Sequence, residues 1–121
     1  MRRYRVVVTT AADGSATSYS ARLAGKIHSI RYVKTDFADG VDFTITAETT
    51  GENIWTESNV NATADCYPRA PTHSQARVAA LYAAGGSAVL EPIALASDRV
   101  KIVIASGGNV KTGTFHILVD E

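Results

Sequence analysis

The sequence is poor in the features that mark several large classes of protein. Cys66 is the only cysteine among 121 residues, so no internal disulfide can form. The 12 basic and 12 acidic side chains leave a net charge of zero. This balance argues against nucleic acid or an anionic lipid surface as a direct partner, because both select a basic excess. The longest apolar runs are only about four residues, such as 102–105, and a membrane span needs about 20.

Targeting and enzyme motifs are also missing. The basic start, Met1–Arg5, resembles that of a secretion signal, but Val6–Val8 gives way to threonine and the apolar core of a signal is absent. Gly86-Ser87-Ala88 lacks the glycine pattern of a hydrolase nucleophile turn. Gly107-Gly108 precedes a predicted strand, whereas a phosphate loop precedes a helix. We therefore expect no secretion signal, no catalytic activity and no cofactor.

Two groups of potential metal ligands have simpler explanations. Asp36, Asp39 and Asp42 are spaced three apart, which is not the spacing of a helical calcium loop. Their position around Gly40 is typical of a turn, where Asp side chains accept hydrogen bonds from the backbone. The three histidines, His28, His73 and His116, include no close pair of the kind that zinc sites use. We expect no bound metal.

The composition favours strands in a single domain spanning residues 1–121. Val and Ile together number 20 against 5 Leu, and Thr adds 13 more. β-branched side chains fit a pleated sheet better than a helix. A chain of this length typically forms one domain.

Hydrophobic patterning and turn signals predict seven or eight short strands. Val41–Thr49 alternates cleanly and predicts a half-buried strand. Both faces of 26–34 carry apolar residues, so we expect burial on both sides, and Gly25 is expected to end a preceding short strand over 17–22. The other predicted strands are 4–10, 53–58, 88–96, 99–105 and 113–119. An antiparallel β-sandwich, either jelly-roll or immunoglobulin-like, is the most economical fold.

A long Ala-rich insertion, residues 59–97, interrupts the strand pattern. It exceeds the usual length of loops in compact domains. Val78, Leu81 and Tyr82 recur at helical spacing before Gly85, which predicts a short helix over 75–84. Because large exposed apolar patches are uncommon on monomers, this insertion packs either across its own sandwich or on a neighbouring subunit.

Six stretches carry a family resemblance. They are Gly25–Val33, Asp36–Thr46, Glu52–Trp55, Tyr67–Ala70, Ala80–Gly86, and Arg99–Ile104 through Gly113–His116. Over nearly the whole chain the sequence resembles small virion structural proteins of tailed bacteriophages and prophages. The resemblance implies a capsid cement or decoration protein that stabilises the head shell by bridging capsid subunits. The implied partners are the major capsid protein and copies of itself, as a homodimer or homotrimer, in a virion assembled in the bacterial cytoplasm.

The insertion and the basic N-terminal segment are the expected contact surfaces. The predicted interface residues are Arg3, Tyr4, Leu81, Tyr82, Leu90 and Ile93. A neck or tail component is one alternative role. A carbohydrate- or receptor-binding module is another, for which Trp55, Tyr67 and Tyr82 are candidate exposed aromatics, although Trp55 is better explained as a cap on the core.

Overall fold

The computed structural model describes residues 1–121 and contains nine strands and no helix. The strands are β1 (Arg2–Thr9), β2 (Ala16–Lys34), β3 (Val41–Ala47), β4 (Asn53–Val60), β5 (Ala64–Cys66), β6 (Arg69–Pro71), β7 (Leu90–Pro92), β8 (Ala94–Ala105) and β9 (Thr112–Asp120). The prediction of an antiparallel all-β fold is confirmed. No helix is available to cross a membrane.

The main sheet curls back on itself through the long strand β2. Its order is β1-β9-β2-β8-β3-β4, with β5 added to β2, and all pairings are antiparallel. The first half of β2 pairs with β8, and the second half pairs with β9 and β5. The two halves of the sheet therefore face each other like the layers of a sandwich. Phe43 of β3 meets Tyr32 and Phe115 of the opposite half, each at 5.3 Å between ring centroids.

Gly25 bends β2 without ending it, which corrects the prediction of two separate strands. Its φ of +118° lies in the region that favours glycine. A Cβ at this position would lie 2.5 Å from the carbonyl oxygen of Asp120. The bend lets a single strand serve both halves of the sheet.

A β-bulge also corrects the expected burial of residues 26–34. The register of β2 against β9 shifts between Ile27 and Ser29. Because a bulge adds one residue to its strand, Ile27 and Ile30 both face the core, and both are fully buried. The opposite face of this segment is polar or half-buried. By contrast, β3 follows its predicted alternation, with Val41, Phe43, Ile45 and Ala47 buried.

The predicted helix over 75–84 is wrong. Residues 69–92, named the arm below, form an extended hairpin in which β6 pairs with β7 and isolated bridges join His73 to Ala79 and Leu81 to Ala88. No residue of the arm is buried. A ten-residue helix would have no apolar surface to pack on, and helices shorter than about 12–15 residues are marginal alone. Cross-strand hydrogen bonds satisfy the backbone instead.

Candidate functional site

The arm carries an ordered but uncovered apolar surface. Its backbone is fixed by hydrogen bonds from Thr72 N to Val89 O, from Val89 N to Ala80 O and from Ala80 N to Thr72 O, each 2.9 Å long. Four of the nine exposed large hydrophobic side chains of the protein nevertheless lie on it: Val78, Leu81, Tyr82 and Leu90. The arm therefore has defined backbone geometry without a core of its own.

Both ends of the arm are tied to the bulge in β2. Arg69 Nη1 donates to the carbonyl oxygen of His28 at 3.2 Å. Ile27 N donates to the carbonyl oxygen of Ile93 at 2.8 Å. These bonds fix the point at which the arm leaves the sandwich.

The structure separates the six predicted interface residues into three places. Leu81, Tyr82 and Leu90 project from the arm and are 46%, 77% and 55% exposed. Ile93 is only 4% exposed and belongs to the core, so it cannot meet a partner in this conformation. Its burial follows from chain direction, because Ile93 immediately follows β7 and packs inward as the chain enters β8.

Arg3 and Tyr4 lie on β1, which belongs to a different sheet from the arm strands β6 and β7. β1 forms one edge of the curled sheet and pairs only with β9. The Tyr4 hydroxyl donates to the carboxylate of Glu121, and the guanidinium of Arg2 lies 5.0 Å from the centre of the Tyr4 ring. No strand pairing links these residues to the arm.

The candidate aromatics also divide. Trp55 is buried and packs edge-on against Phe43 at 4.7 Å between ring centroids, which confirms its role in the core. Tyr67 and Tyr82 are exposed. Tyr82 belongs to the arm, whereas Tyr67 stands at the rim of a cleft on the sheet.

The potential metal ligands do not converge. Asp36 accepts a hydrogen bond from Thr112 N, Asp39 pairs with Lys34, and Asp42 accepts from Asn59 N at 2.9 Å. Nowhere do three or more His, Cys, Asp or Glu side chains meet in a metal-binding arrangement. His73 lies exposed on the arm, but His28 and His116 line the same cleft.

This cleft, on the outer face of β1, β9, β2 and β5, is a site that the sequence analysis missed. It has a volume of about 470 Å³. Its floor and walls are formed by Arg3, His28, Ser29, Arg31, Val33, Asp65, Tyr67, His116 and Leu118. These residues come from segments far apart in the sequence, so only strand order brings them together.

The register of four strands places a row of polar and charged side chains across the cleft, with Arg5 at one end, outside its lining. Arg5 lies opposite His116, His116 opposite Arg31, and Arg31 opposite Asp65. Arg31 Nη1 donates to both carboxylate oxygens of Asp65 at 2.9 Å. The row thus contains two guanidinium groups, an imidazole between them, and one carboxylate at its end.

No protein-family model matches the chain, and no curated protein matches it.

The surroundings of His116 disfavour its protonated form. Burial lowers the pKa of its imidazole, and the positive charges of Arg3, Arg5 and Arg31 lower it further. Its Nδ1 is buried and has no hydrogen-bond partner. No protein group therefore fixes which ring nitrogen carries the proton.

Proposed function

We propose that the protein is a virion structural protein of a tailed bacteriophage, and specifically a decoration protein that bridges capsid subunits on the head shell. The observation that carries the proposal is the arm, an ordered hairpin whose apolar side chains have no cover within their own chain. The resemblance to small virion proteins supports the same role. The proposal assigns the protein no reaction and no cofactor.

Adhesion supplies the mechanism. Apolar surface removed from water contributes about 25 cal/mol per Å², and an arm that already holds its backbone geometry loses little entropy on docking. Exposed edges of the β6–β7 hairpin can also add strand pairings to a neighbour. Contacts that are weak singly become strong when they are repeated over a closed shell. The partners are copies of the chain, as a dimer or trimer, and the major capsid protein.

Binding to head shells tests the role of the arm. The double variant Leu81→Ser/Tyr82→Ser removes apolar surface from the arm, and Val7→Ser/Tyr19→Ser removes exposed apolar surface elsewhere. Each purified protein is added to shells that lack it, and the bound fraction is measured by sedimentation. We expect the arm variant to lose binding and the control to keep it. Equal binding by both variants contradicts this use of the arm.

Copy number distinguishes the head from the neck or tail. Quantitative mass spectrometry of purified particles should find hundreds of copies if the protein decorates the head, whereas about six or twelve copies indicate a neck or tail ring. A protein absent from particles is not a virion component. The arm would make the same kind of contact in the head, neck or tail. A low copy number would therefore change the proposed location in the virion and not the proposed adhesion mechanism.

A further inference from the structure

We propose that the cleft on β1, β9, β2 and β5 binds an anionic sugar, a hexose-sized ring that carries a carboxylate or phosphate group. This activity goes beyond the adhesive role of the arm and uses a different surface. Four observations carry it: arginines without a partner, positive charge on both sides of His116, an imidazole whose tautomer no protein group fixes, and an exposed tyrosine at the rim.

The cations of the cleft have unused hydrogen-bonding capacity. Arg3 and Arg5 make no hydrogen bond or ion pair within the protein, whereas Arg31 uses only Nη1 for Asp65. The planar guanidinium group donates bidentate hydrogen bonds that match carboxylate and phosphate oxygens. The one carboxylate that lines the cleft, Asp65, is already engaged at the end of the row. An incoming oxyanion would therefore meet mainly donors.

Positive charge lies on both sides of His116. Arg5 of β1 and Arg31 of β2 flank His116 of β9 from its two sides, and their positive charges disfavour protonation of its imidazole. No element packed against His116 brings a carboxylate directly opposite it. An anion placed above His116 would offset these positive charges and favour the protonated imidazole.

No protein group fixes the tautomer of His116, so a ligand bound in the cleft can determine it. Because Nδ1 has no partner, the proton can reside on either ring nitrogen. A bound oxyanion can accept that proton in a hydrogen bond and so fix the ring. The side chain needs no rearrangement of protein partners to do this.

The size and rim of the cleft point to a ring-bearing anion. A volume of about 470 Å³ is in the range of small-ligand sites and is larger than a single oxyanion fills. Tyr67 is 60% exposed, and its ring meets that of His28 edge-on at 5.9 Å between centroids. Val33 and Leu118 add apolar surface. A sugar offers both an apolar ring face for such contacts and, when acidic, the anion for the arginines.

Calorimetric titration with four probes tests the proposal: glucuronate, glucose 6-phosphate, glucose and inorganic phosphate. We expect at least one of the two anionic sugars to bind about tenfold more tightly than both glucose and phosphate. Glucose lacks the charged hydrogen bonds to the arginines, and phosphate lacks the ring that contacts Tyr67, Val33 and Leu118. The sugar that binds more tightly shows whether the cleft prefers a carboxylate or a phosphate group. Absence of binding, equal binding of glucose, or phosphate binding as tightly as both sugars overturns the proposal.

Matched variants assign the binding to the cleft. Arg3→Gln and Tyr67→Ala should each weaken binding of the preferred sugar about tenfold, because both side chains line the cleft. Arg2→Gln is the control, because Arg2 lies on the same strand near Tyr4 and does not line the cleft. Asp65→Asn should strengthen binding, since it releases Arg31 from its carboxylate. Unchanged affinity in both Arg3→Gln and Tyr67→Ala contradicts the assignment.

The arm variant separates this proposal from the decoration role. Leu81→Ser/Tyr82→Ser leaves every residue of the cleft in place and should bind the sugar as the unmodified protein does. Loss of shell binding with retained sugar binding supports both proposals. Loss of sugar binding in this variant would contradict a cleft that acts independently of the arm.

Discussion

Tyr32 is the residue on which the two halves of the sheet converge. Its ring packs against Phe43 and Phe115 at 5.3 and 5.2 Å between centroids, and it is fully buried. Its hydroxyl has no hydrogen-bond partner, and burial raises its pKa, with a further contribution from the charge of Asp39. The aromatic ring is therefore favourable, whereas the hydroxyl is a desolvated polar group.

Replacing Tyr32 with phenylalanine should stabilise the protein. The variant keeps the ring contacts and removes a buried unpaired hydroxyl, whose desolvation costs about 1–3 kcal/mol. We expect Tyr32→Phe to raise the free energy of unfolding by about 1 kcal/mol in urea titrations, and Tyr67→Phe at the exposed rim to leave it unchanged. A loss of more than about 1 kcal/mol in Tyr32→Phe would show that the hydroxyl has a stabilising partner.

The lowered pKa of His116 predicts that the stability of the protein depends on pH near neutrality. Burial and the charges of Arg3, Arg5 and Arg31 lower its pKa below the ordinary value of 6.5. The unfolded chain therefore binds a proton in the window just below pH 6.5 that the folded protein does not bind. The free energy of unfolding must fall as the pH is lowered through this window.

Thermal melts at intervals between about pH 7.5 and 5.5 measure this effect. The unmodified protein should lose stability as the pH falls, and His116→Gln should have a shallower dependence. His73→Gln, in the exposed arm, is the matched control and should retain the original slope. Identical slopes for His116→Gln and the unmodified protein would remove His116 as the cause.

Among the strands, β3 was predictable from sequence and β2 was not. The alternation of apolar and polar residues in β3 predicts a regular strand with one solvent-facing side. Each predicted core position of β3 is buried. In β2 the bulge after Ile27 changes which residues share a face. A hydrophobic pattern with a period of two cannot predict this change of face, because the bulge arises from the pairing of β2 with β9.

Gly25→Ala tests the bend that joins the two halves of the sheet. The new Cβ would lie 2.5 Å from the carbonyl oxygen of Asp120, whereas a Cβ at Gly51 meets nothing within 4 Å. Both glycines have positive φ, so Gly51→Ala is a control for backbone strain without a steric clash, and that strain is about 1–2 kcal/mol in the left-handed region. We expect Gly25→Ala to cost about 2 kcal/mol more than Gly51→Ala in chemical denaturation. An equal loss of stability in the two variants would mean that Asp120, at the end of β9, moves away from the new Cβ at little cost, and would contradict a tightly packed bend.

The arm shows a second limit of local patterns. Helical spacing of Val78, Leu81 and Tyr82 favoured a helix, but an amphipathic pattern specifies a helix only where a surface exists to receive it. The apolar composition of the insertion indicated that it packs against something. The sequence did not predict which of its apolar residues pack into the core and which stay exposed. Ile93 and Leu95 pack into the core, while the arm residues before them remain exposed.

For the whole molecule, the cleft is the feature that sequence could least reveal. Arg5, His116 and Arg31 become neighbours only because β9 lies between β1 and β2. Strand order of this kind depends on long-range pairing, which no local signal in one sequence encodes. The two surfaces, arm and cleft, are thus held by one sandwich and differ in chemistry, one apolar and one cationic.

The central claim is that the sandwich folds by itself and the arm joins copies of the protein. It is tested most directly by molar mass in solution, from light scattering at micromolar to millimolar concentration. The full chain should form dimers or trimers. A variant with 73–88 replaced by Asn-Gly, which closes a two-residue hairpin between the paired Thr72 and Val89, should be monomeric with unchanged near-ultraviolet circular dichroism. A full chain that stays monomeric at the highest concentration, or a shortened chain that assembles equally well, would contradict the claim.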